Sequence, residues 1–476
     1  MNILGFDIKR VKPNSSKKGG RRHYEAADKG RRGKAFINVK NTGVNAEVLP
    51  ALSVLRSRSR HKVRNDGWAK RAVEAVVKHT VGEGIRPAPI GTLKQKKQLK
   101  ELWKRWAEST QCDFYGKTTL YGLQELAMRS VVEGGDCIVI LRWVSPKRAN
   151  ELPIKLQLCE GDLIDHSRNG TVMVDGKNGV SRLGVHFSET GELLGYWLFN
   201  QHPGDVPSTI TGLQASEFHP KENVLHVFEL LRIGQVRGVP FGISSFMKLS
   251  DFSDYEDAQL TKQKVAACFS AFIGGTTTPA DDEKEDDLFE RLEAGTVERL
   301  GTDETITFSE PPTVGDYDNY STRILQGIAA GYGITYEMLT MDYSRVNFTS
   351  GRMAKIDVTP NFRSWQYNMM VPMFCAPVWE WFIDACIVAG FLSGRMEADW
   401  TAPRVQQLDP VKETNSRVTQ VQAGFATLSE IIREDGREPE EFFEEYKQDV
   451  ERMKGLGIVL KSIDATPDTL NNMQNG

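Results

Sequence analysis

The feature that most restricts the fold of this chain is a helix–loop–helix pattern in residues 316–356. The apolar residues of its first helix recur at every fourth position and so share one helical face: Tyr320, Ile324, Ile328 and Tyr332. Asp316 or Asp318 is placed to cap the start of this helix, and Thr349 or Ser350 is placed to cap the second one. The pattern predicts two helices held on either side of a short connection.

The connection between these helices has neither a helical nor a strand period. We predict a loop over residues 339–349 and take eight consecutive residues within it as the candidate functional residues. They are Met341, Asp342, Tyr343, Ser344, Arg345, Val346, Asn347 and Phe348.

Three blocks in this region keep their spacing across both helices: IAAGYGI at residues 328–334, YEMLTMD at 336–342 and VNFTSGR at 346–352. These blocks resemble the portal proteins of lambda-like tailed phages. Further portal-like blocks follow in one order within residues 50–450, at residues 56–87, 235–269 and 374–382. The resemblance is therefore carried by several motifs and covers most of the chain.

The chain departs from the family pattern at four positions of the loop and the second helix. Arg345 stands where the pattern has a glycine, Phe348 replaces a tyrosine, Thr349 a serine and Gly351 an alanine. These changes alter the charge and the flexibility of the loop.

The resemblance implies a homo-oligomeric ring, usually a dodecamer, at one capsid vertex of a virion. Double-stranded DNA would pass through the ring without sequence-specific contacts during packaging and ejection. The implied partners are the terminase large subunit, the major capsid protein and a head–tail adaptor. The resemblance also implies that assembly takes place in the host cytoplasm. Arg345 would then form a ring of positive charge facing phosphates.

Sequence pattern and resemblance together predict an α+β chain with a portal architecture. The predicted parts, in order, are a basic and mobile arm at 1–48, an α+β wing at 49–243, a first stem helix at 244–273, a clip at 274–315, a second stem helix at 316–338, the channel loop at 339–349, a kinked long helix returning to the wing at 350–408, and a helical crown with a loose tail at 409–476.

Periodicity within these parts predicts individual elements. Strands are expected at residues 137–143, 153–159, 185–187, 194–199, 224–228, 295–300 and 304–308, and long helices at 244–272 and 353–392. Pro360, Pro372 and Pro377 are expected to kink the last helix. Its apolar segment at 374–392 carries Glu380 and Asp384, so we predict a buried amphipathic helix and no membrane contact.

Charge is distributed unevenly along the chain. The net charge of −3 excludes a globally basic nucleic-acid binder, but residues 1–34 are strongly basic. This arm is either a solvated tail or a segment that lies on nucleic acid or on an acidic neighbouring subunit. A second basic segment, at residues 49–86, is expected to be helical, with its charged face formed by Arg56, Arg58, Arg60, Lys62, Arg64, Lys70 and Arg71.

Asp251, Asp254 and Asp257 are spaced three residues apart and therefore share a face of the predicted helix 244–272. Such a stripe is either simply solvated or, in a ring of subunits, repeated once per subunit. It would then form acidic rings along a channel or between neighbouring subunits. Both alternatives remain open from the sequence.

No catalytic, cofactor-binding or metal site is expected. The segment FYGKTT at residues 114–119 lacks the glycine that a phosphate-binding loop needs at Gln111. The six cysteines form no CxxC pair and are expected to be free and buried. Two other function classes remain: a nucleic-acid enzyme or ATPase, and a scaffold or head-assembly protein without a conduit. No secretory signal is expected, because a basic polar run follows Met1.

Overall fold

The computed structural model describes residues 2–3, 6–7, 38–146, 151–174, 176–205, 215–267, 271–274, 305–308, 317–403, 410–434 and 439–455. Most of the basic arm, Cys268, the predicted strand at 295–300 and the tail from residue 456 lie outside the described residues.

The helices of the described residues are α1 Val44–Asn65, α2 Gly67–Val81, α3 Leu93–Ala107, α4 Leu120–Gly134, α5 Phe246–Ala267, α6 Tyr317–Tyr332, α7 Tyr336–Thr340, α8 Phe348–Trp365, α9 Ala376–Val388, α10 Pro410–Gln422, α11 Leu428–Glu434 and α12 Pro439–Gly455. The strands are β1 Asn2–Ile3, β2 Phe6–Asp7, β3 Arg86–Pro89, β4 Asp136–Trp143, β5 Ile154–Glu160, β6 Gly170–Val174, β7 Lys177–Arg182, β8 Val185–Ser188, β9 Leu193–Phe199, β10 Ser216–Pro220, β11 Val224–Phe228, β12 Ala271–Gly274, β13 Thr305–Phe308 and β14 Ala398–Thr401.

Two antiparallel sheets dominate the strand content, which confirms the α+β prediction. One has three strands in the order β11-β4-β5, and the other has five in the order β10-β9-β8-β7-β6. The predicted strands at 137–143, 153–159, 185–187, 194–199, 224–228 and 304–308 are all found. The prediction missed β6, β7 and β10: β7 and β10 are short and mostly polar, and the five-residue β6 has adjacent apolar residues, so none of them shows a clear apolar alternation.

The helical core packs against the three-stranded sheet. Helix α4 packs on this sheet, α2 packs on α4, and the aromatic residues of α9 belong to the same core. By length and composition alone, Phe348–Val388 would pass as a membrane span. However, Phe374, Val378 and Phe382 in this helix are completely buried in the protein core. The predicted buried helix is therefore found, but it ends at Val388 and not at residue 392.

This long helix is continuous through its prolines. Helices α8 and α9 are joined without a break by a π-helical segment, Gln366–Cys375. Pro372 lies inside that segment, and Pro360 lies inside α8. Pro372 has no amide hydrogen to donate, and the wider hydrogen-bond spacing of a π-helical segment lets the helix continue past it.

Helices α5 and α6 form an antiparallel pair. Tyr255 on α5 stacks on Tyr317 at a ring distance of 5.9 Å, and the hydroxyl group of Tyr317 donates to Glu256 at 3.2 Å. At the other end, Ser245 donates to the carbonyl group of Ile328 at 3.4 Å. The prediction that α5 continues to residue 272 was wrong, because residues 271–274 form β12 and pair with β13.

A buried ionic network joins the start of β4 to three other parts of the chain. The carboxylate of Asp136 accepts hydrogen bonds from Arg56 on α1 at 2.5 Å, from Arg237 at 2.7 Å and from His226 on β11 at 3.2 Å. All four side chains are buried. Because an ionised carboxylate only accepts, His226 must carry its proton on Nε2.

Two glycines allow this network to form. The backbones of Gly135 and Gly238 are in direct contact, and a Cβ atom on Gly238 would lie 1.9 Å from the carbonyl oxygen of Gly135. This contact brings Arg237 next to Asp136, and it explains why the segment QVRGVPFG at 235–242 contains a glycine at that position.

Burial and the neighbouring groups shift the pKa values of Asp136 and His226 in opposite directions. Burial alone would raise the pKa of Asp136, but the charges of Arg237 and Arg56 outweigh it and hold that pKa well below its usual range. Burial lowers the pKa of His226, against the opposing hydrogen bond to Asp136. The network is therefore stable with a charged aspartate and a neutral histidine.

We expect Asp136→Asn to lower the free energy of unfolding by about 3–5 kcal/mol, because it leaves the buried guanidinium group of Arg237 without a counter-charge and Arg56 with only the more distant Asp162, at 3.8 Å. Urea unfolding followed by circular dichroism measures the effect. The matched control is Asp318→Asn, which removes a carboxylate from an exposed arginine pair and should cost roughly 0–1 kcal/mol. Equal losses in the two variants would contradict the role given to the buried network.

We also expect stability to fall as the pH is lowered. The unfolded chain binds a proton at His226 below about pH 6.5 and at Asp136 below about pH 4, whereas the folded chain resists both because each folded pKa is lowered. The urea midpoint should therefore decrease between pH 7 and pH 5, and decrease less in His226→Gln. Part of the slope should remain, since burial also lowers the pKa of His79. Identical slopes in the two proteins would refute the assignment to His226.

Candidate functional site

The loop between α7 and α8 covers residues 341–347 and is therefore shorter than the predicted 339–349; it is fixed at its first residue. Met341 adopts a left-handed conformation with φ of 57°, and its amide group donates to the carbonyl group of Glu337 at 2.8 Å. Asp342 then accepts a hydrogen bond from the amide group of Ser344 at 2.9 Å. Hydrogen bonds from Ser344 lower the pKa of Asp342. The loop therefore leaves α7 through a defined turn.

The other end of the loop is fixed by a capping box on α8. The side chain of Asn347 accepts from the amide group of Ser350 at 2.8 Å, and Ser350 Oγ accepts from the amide group of Asn347 at 3.0 Å. The prediction that Thr349 or Ser350 is the cap was wrong: the helix begins at Phe348, so both residues lie in its first turn. Asparagine is an equally good N-cap residue. The sequence prediction chose the nearby threonine and serine because they are also common N-cap residues.

Between these two fixed ends, the side chains are presented to solvent. Tyr343 and Phe348 are exposed, and Arg345 exposes 58% of its side chain. Val346 and Asp342 are half-buried. The subunit therefore presents both a positive charge and aromatic surface at this loop.

Arg345 forms an ion pair with Asp318 in the first turn of α6. Sequence reasoning treated Asp318 only as a possible cap and missed this pairing. The two residues are 27 positions apart, and they meet because α7 folds the chain back onto α6. No local spacing rule could have detected that contact.

The three acidic residues Asp251, Asp254 and Asp257 are exposed on α5. The neighbouring Tyr255 and Glu256 are half-buried and face α6 instead. The stripe is thus left uncovered by α6 within one subunit.

The basic face predicted for residues 49–86 is only partly exposed. The segment is two helices, α1 and α2, separated at Asp66, which caps α2. Arg56 was wrongly assigned to the surface, because it is 3% exposed and bound to Asp136. Arg58, Arg64 and Lys70 are exposed.

The segment at residues 114–119 has its backbone amide groups already occupied. The Asp113 carboxylate accepts from the amide groups of Tyr115 at 3.1 Å, Lys117 at 2.7 Å and Thr118 at 3.3 Å. A phosphate would need those same donors. Thr119 caps α4, as predicted for Thr118 or Thr119.

Glu160, Asp162 and His202 place their ligand atoms within 4.8 Å of one another. The guanidinium group of Arg60 already lies among them, 2.6 Å from Asp162 and 3.0 Å from Glu160. The two carboxylates therefore have a cationic partner within the chain, and this cluster does not need a metal ion to balance its charge. The five described cysteines are free and buried, as predicted.

Comparison with known sequences gives a consistent set of relatives. A family model described as "Phage portal protein, lambda family" matches residues 29–366. The chain is 24% identical over 434 residues to the probable portal protein of Halomonas phage phiHAP-1, covering 85% of this chain and 81% of that protein. It is 21% identical over 479 residues to portal protein B of Escherichia phage lambda, covering 88% of each.

Among solved structures, the chain is similar to the neck of the native GTA particle computed with C12 symmetry. The TM-score is 0.48 at 13% identity, covering 80% of this chain and 93% of that one. The virion of a native gene transfer agent particle gives a TM-score of 0.47 at 14% identity, covering 81% and 94%.

We expect Asn347→Ala to remove the cap of α8 and to lower the free energy of unfolding by about 1 kcal/mol. Amide hydrogen exchange should become faster in the first turn of α8, measured by mass spectrometry of peptides that cover residues 345–355. Asn347→Asp keeps the acceptor and should leave exchange close to that of the unchanged chain. Unaltered exchange in the alanine variant would show that the capping box does not fix the loop.

Proposed function

Because the chain belongs to the lambda family of phage portal proteins, we propose that it forms a ring at one capsid vertex and that double-stranded DNA passes through the ring. The ring is proposed to be a dodecamer built by a head-to-tail contact that closes on itself. The main support for a DNA contact is the geometry of the loop at residues 341–348. This loop is anchored at both ends and presents Arg345 to solvent.

Arg345 can exchange its partner at low cost. Its pair with Asp318 is exposed on both sides, and an exposed pair contributes roughly 0–1 kcal/mol. A nearby phosphate can therefore replace Asp318. In a ring, each subunit contributes one such arginine, which gives contacts along the DNA backbone that do not depend on sequence.

The roles proposed for the other parts of the chain follow from placing this loop at the channel. Helices α5 and α6 are proposed as the stem, and the pair β12–β13 as part of the clip. The acidic residues Asp251, Asp254 and Asp257 are then repeated around the stem, either along the channel or against the next subunit. An acidic channel wall would repel phosphates and reduce adhesion of moving DNA.

The protein is proposed to be a structural conduit and not an enzyme. The amide groups at residues 115–118 are bound to Asp113, which argues against nucleotide binding there. The proposed partners are the terminase large subunit, the major capsid protein and a head–tail adaptor, first in the host cytoplasm and then in the virion. The alternative of a scaffold without a conduit leaves the exposed and anchored loop without a role.

Arg345→Ala should reduce DNA packaging and retention several-fold, because each subunit then neutralises one phosphate fewer. The salt dependence of DNA retention should also become less steep, by about 1 in the logarithmic slope for each phosphate that is no longer neutralised. The measurements are the packaged DNA per particle and its release over a range of salt concentrations.

Two variants control this experiment. Arg345→Lys keeps the charge and should retain most of the packaging. Arg395→Ala removes an exposed arginine that pairs with Asp384 at 3.0 Å outside the loop, and it should have no effect. Unchanged packaging, retention and salt response in Arg345→Ala would exclude a direct DNA contact of this residue.

A further inference from the structure

A short loop after β11 presents a compact apolar surface to solvent. We call Leu230, Leu231 and Ile233 the knob. Leu230 and Leu231 expose 58% and 59% of their surface, and Ile233 exposes 101%. Apolar side chains clustered at the tip of one loop mark an interaction site more often than scattered ones do.

The knob is built on a rigid base. The side chain of Gln235 accepts hydrogen bonds from the amide groups of Leu231 at 3.0 Å and Arg232 at 3.2 Å. Asn45 near the start of α1 donates to the carbonyl group of Gly234 at 2.8 Å and accepts from the amide group of Val236 at 3.1 Å. A loop held this firmly presents the same shape before and after binding, which reduces the entropic cost of association.

A complementary apolar surface lies on the long helix α8 and its π-helical continuation. We call Ile356, Pro360, Arg363 and Tyr367 the groove; together with Thr359, Ser364 and Asn368 they line a shallow, open depression of about 570 Å³ along one face of this helix. Ile356 and Tyr367 each expose about half of their side chain. The groove therefore offers apolar surface that nothing in the described residues of the subunit covers.

The knob and the groove are connected through one tryptophan but face different directions. Trp365 donates from Nε1 to Glu229, the residue before the knob, at 2.8 Å. Trp365 is buried, whereas Ile356 precedes it by roughly two and a half helical turns and lies on the opposite face of α8. The knob cannot reach the groove of its own subunit without breaking this arrangement.

From these observations we infer that the knob of one subunit inserts into the groove of the next copy of this chain. A head-to-tail ring requires two different complementary surfaces on each subunit at a fixed angle. The bond between Trp365 and Glu229 ties the two surfaces to the same helix and so sets that angle. This inference rests on the ring of the proposed function and names the contact that closes it.

Charges at the two rims are also compatible. The knob carries Arg232 and its ion-pair partner Glu47, both half exposed. On the opposing surface, Arg363 within the groove and Asp357 beside it on α8 are exposed. Each surface thus has one charge of either sign, so Asp357 can meet Arg232 while Arg363 meets Glu47. Matched rim charges fix the register of such an interface.

The first test replaces one apolar residue on each surface with a charge. Ile233→Asp and Ile356→Asp should each prevent oligomer formation, measured by light scattering after size-exclusion chromatography under conditions where the unchanged chain assembles. Both residues are exposed, so the urea midpoint should not change. Met173→Asp alters another exposed apolar residue, on β6, and this variant should still assemble. Assembly of both groove and knob variants as in the unchanged chain would overturn the inference.

The second test detects the contact directly. Chains with Ile233→Cys and chains with Ile356→Cys, both in a Cys268→Ser background, are mixed before assembly and treated with a short thiol cross-linker. Covalent dimers should form in the mixture and in neither chain alone. Dimers of Ile233→Cys with itself would indicate a two-fold contact and overturn the head-to-tail assignment.

The two tests separate this contact from the ring itself. Annular particles without the cross-link would overturn the knob-and-groove contact and leave the proposed function in place. If the unchanged chain forms no ring together with its head proteins, both the proposed function and this contact are refuted.

Discussion

The fold depends most on one buried carboxylate. Asp136 is completely buried and binds Arg56, Arg237 and His226, which come from three separate parts of the chain. A charge in that position is tolerable only with its partners in place, because an unpaired buried ion is very unfavourable. The ionic network therefore couples helix α1, the three-stranded sheet and the segment that leads into α5. Removal of any partner would affect the positions of all three.

This rigid base determines what the rest of the subunit can present. The segment after Arg237 passes through Gly238 and Gly242 into α5, and α5 packs on α6 through Tyr255 and Tyr317. The loop at residues 341–348 then emerges between α7 and α8 with both ends fixed. In the proposed ring, an exposed arginine on a fixed loop would contact DNA phosphates without reading the base sequence. Because both ends of the loop are already fixed, such a contact would not carry the entropic cost of ordering the loop.

Sequence periodicity was sufficient for the α+β class, for most strands of the two sheets and for the helix–loop–helix around Arg345. It failed where contacts are distant in sequence. Arg56 lies four residues after Leu52 and seven before Val63, on the buried face of α1, and only its distant partner Asp136 explains why a charge is tolerated there. The pairing of Arg345 with Asp318 depends likewise on how α7 turns the chain. The cap at Asn347 was missed because Thr349 and Ser350 offered the same chemistry nearby, and the π-helical segment has no apolar period of its own.

The central claim is that copies of this chain enclose a DNA channel lined by residues 341–348. Reconstruction of the assembled particle by electron cryo-microscopy tests it most directly. We expect an annular particle with a central opening wide enough for duplex DNA and one copy of the loop per subunit on its wall. A closed oligomer without an opening, or a ring whose loops lie away from the opening, would contradict it.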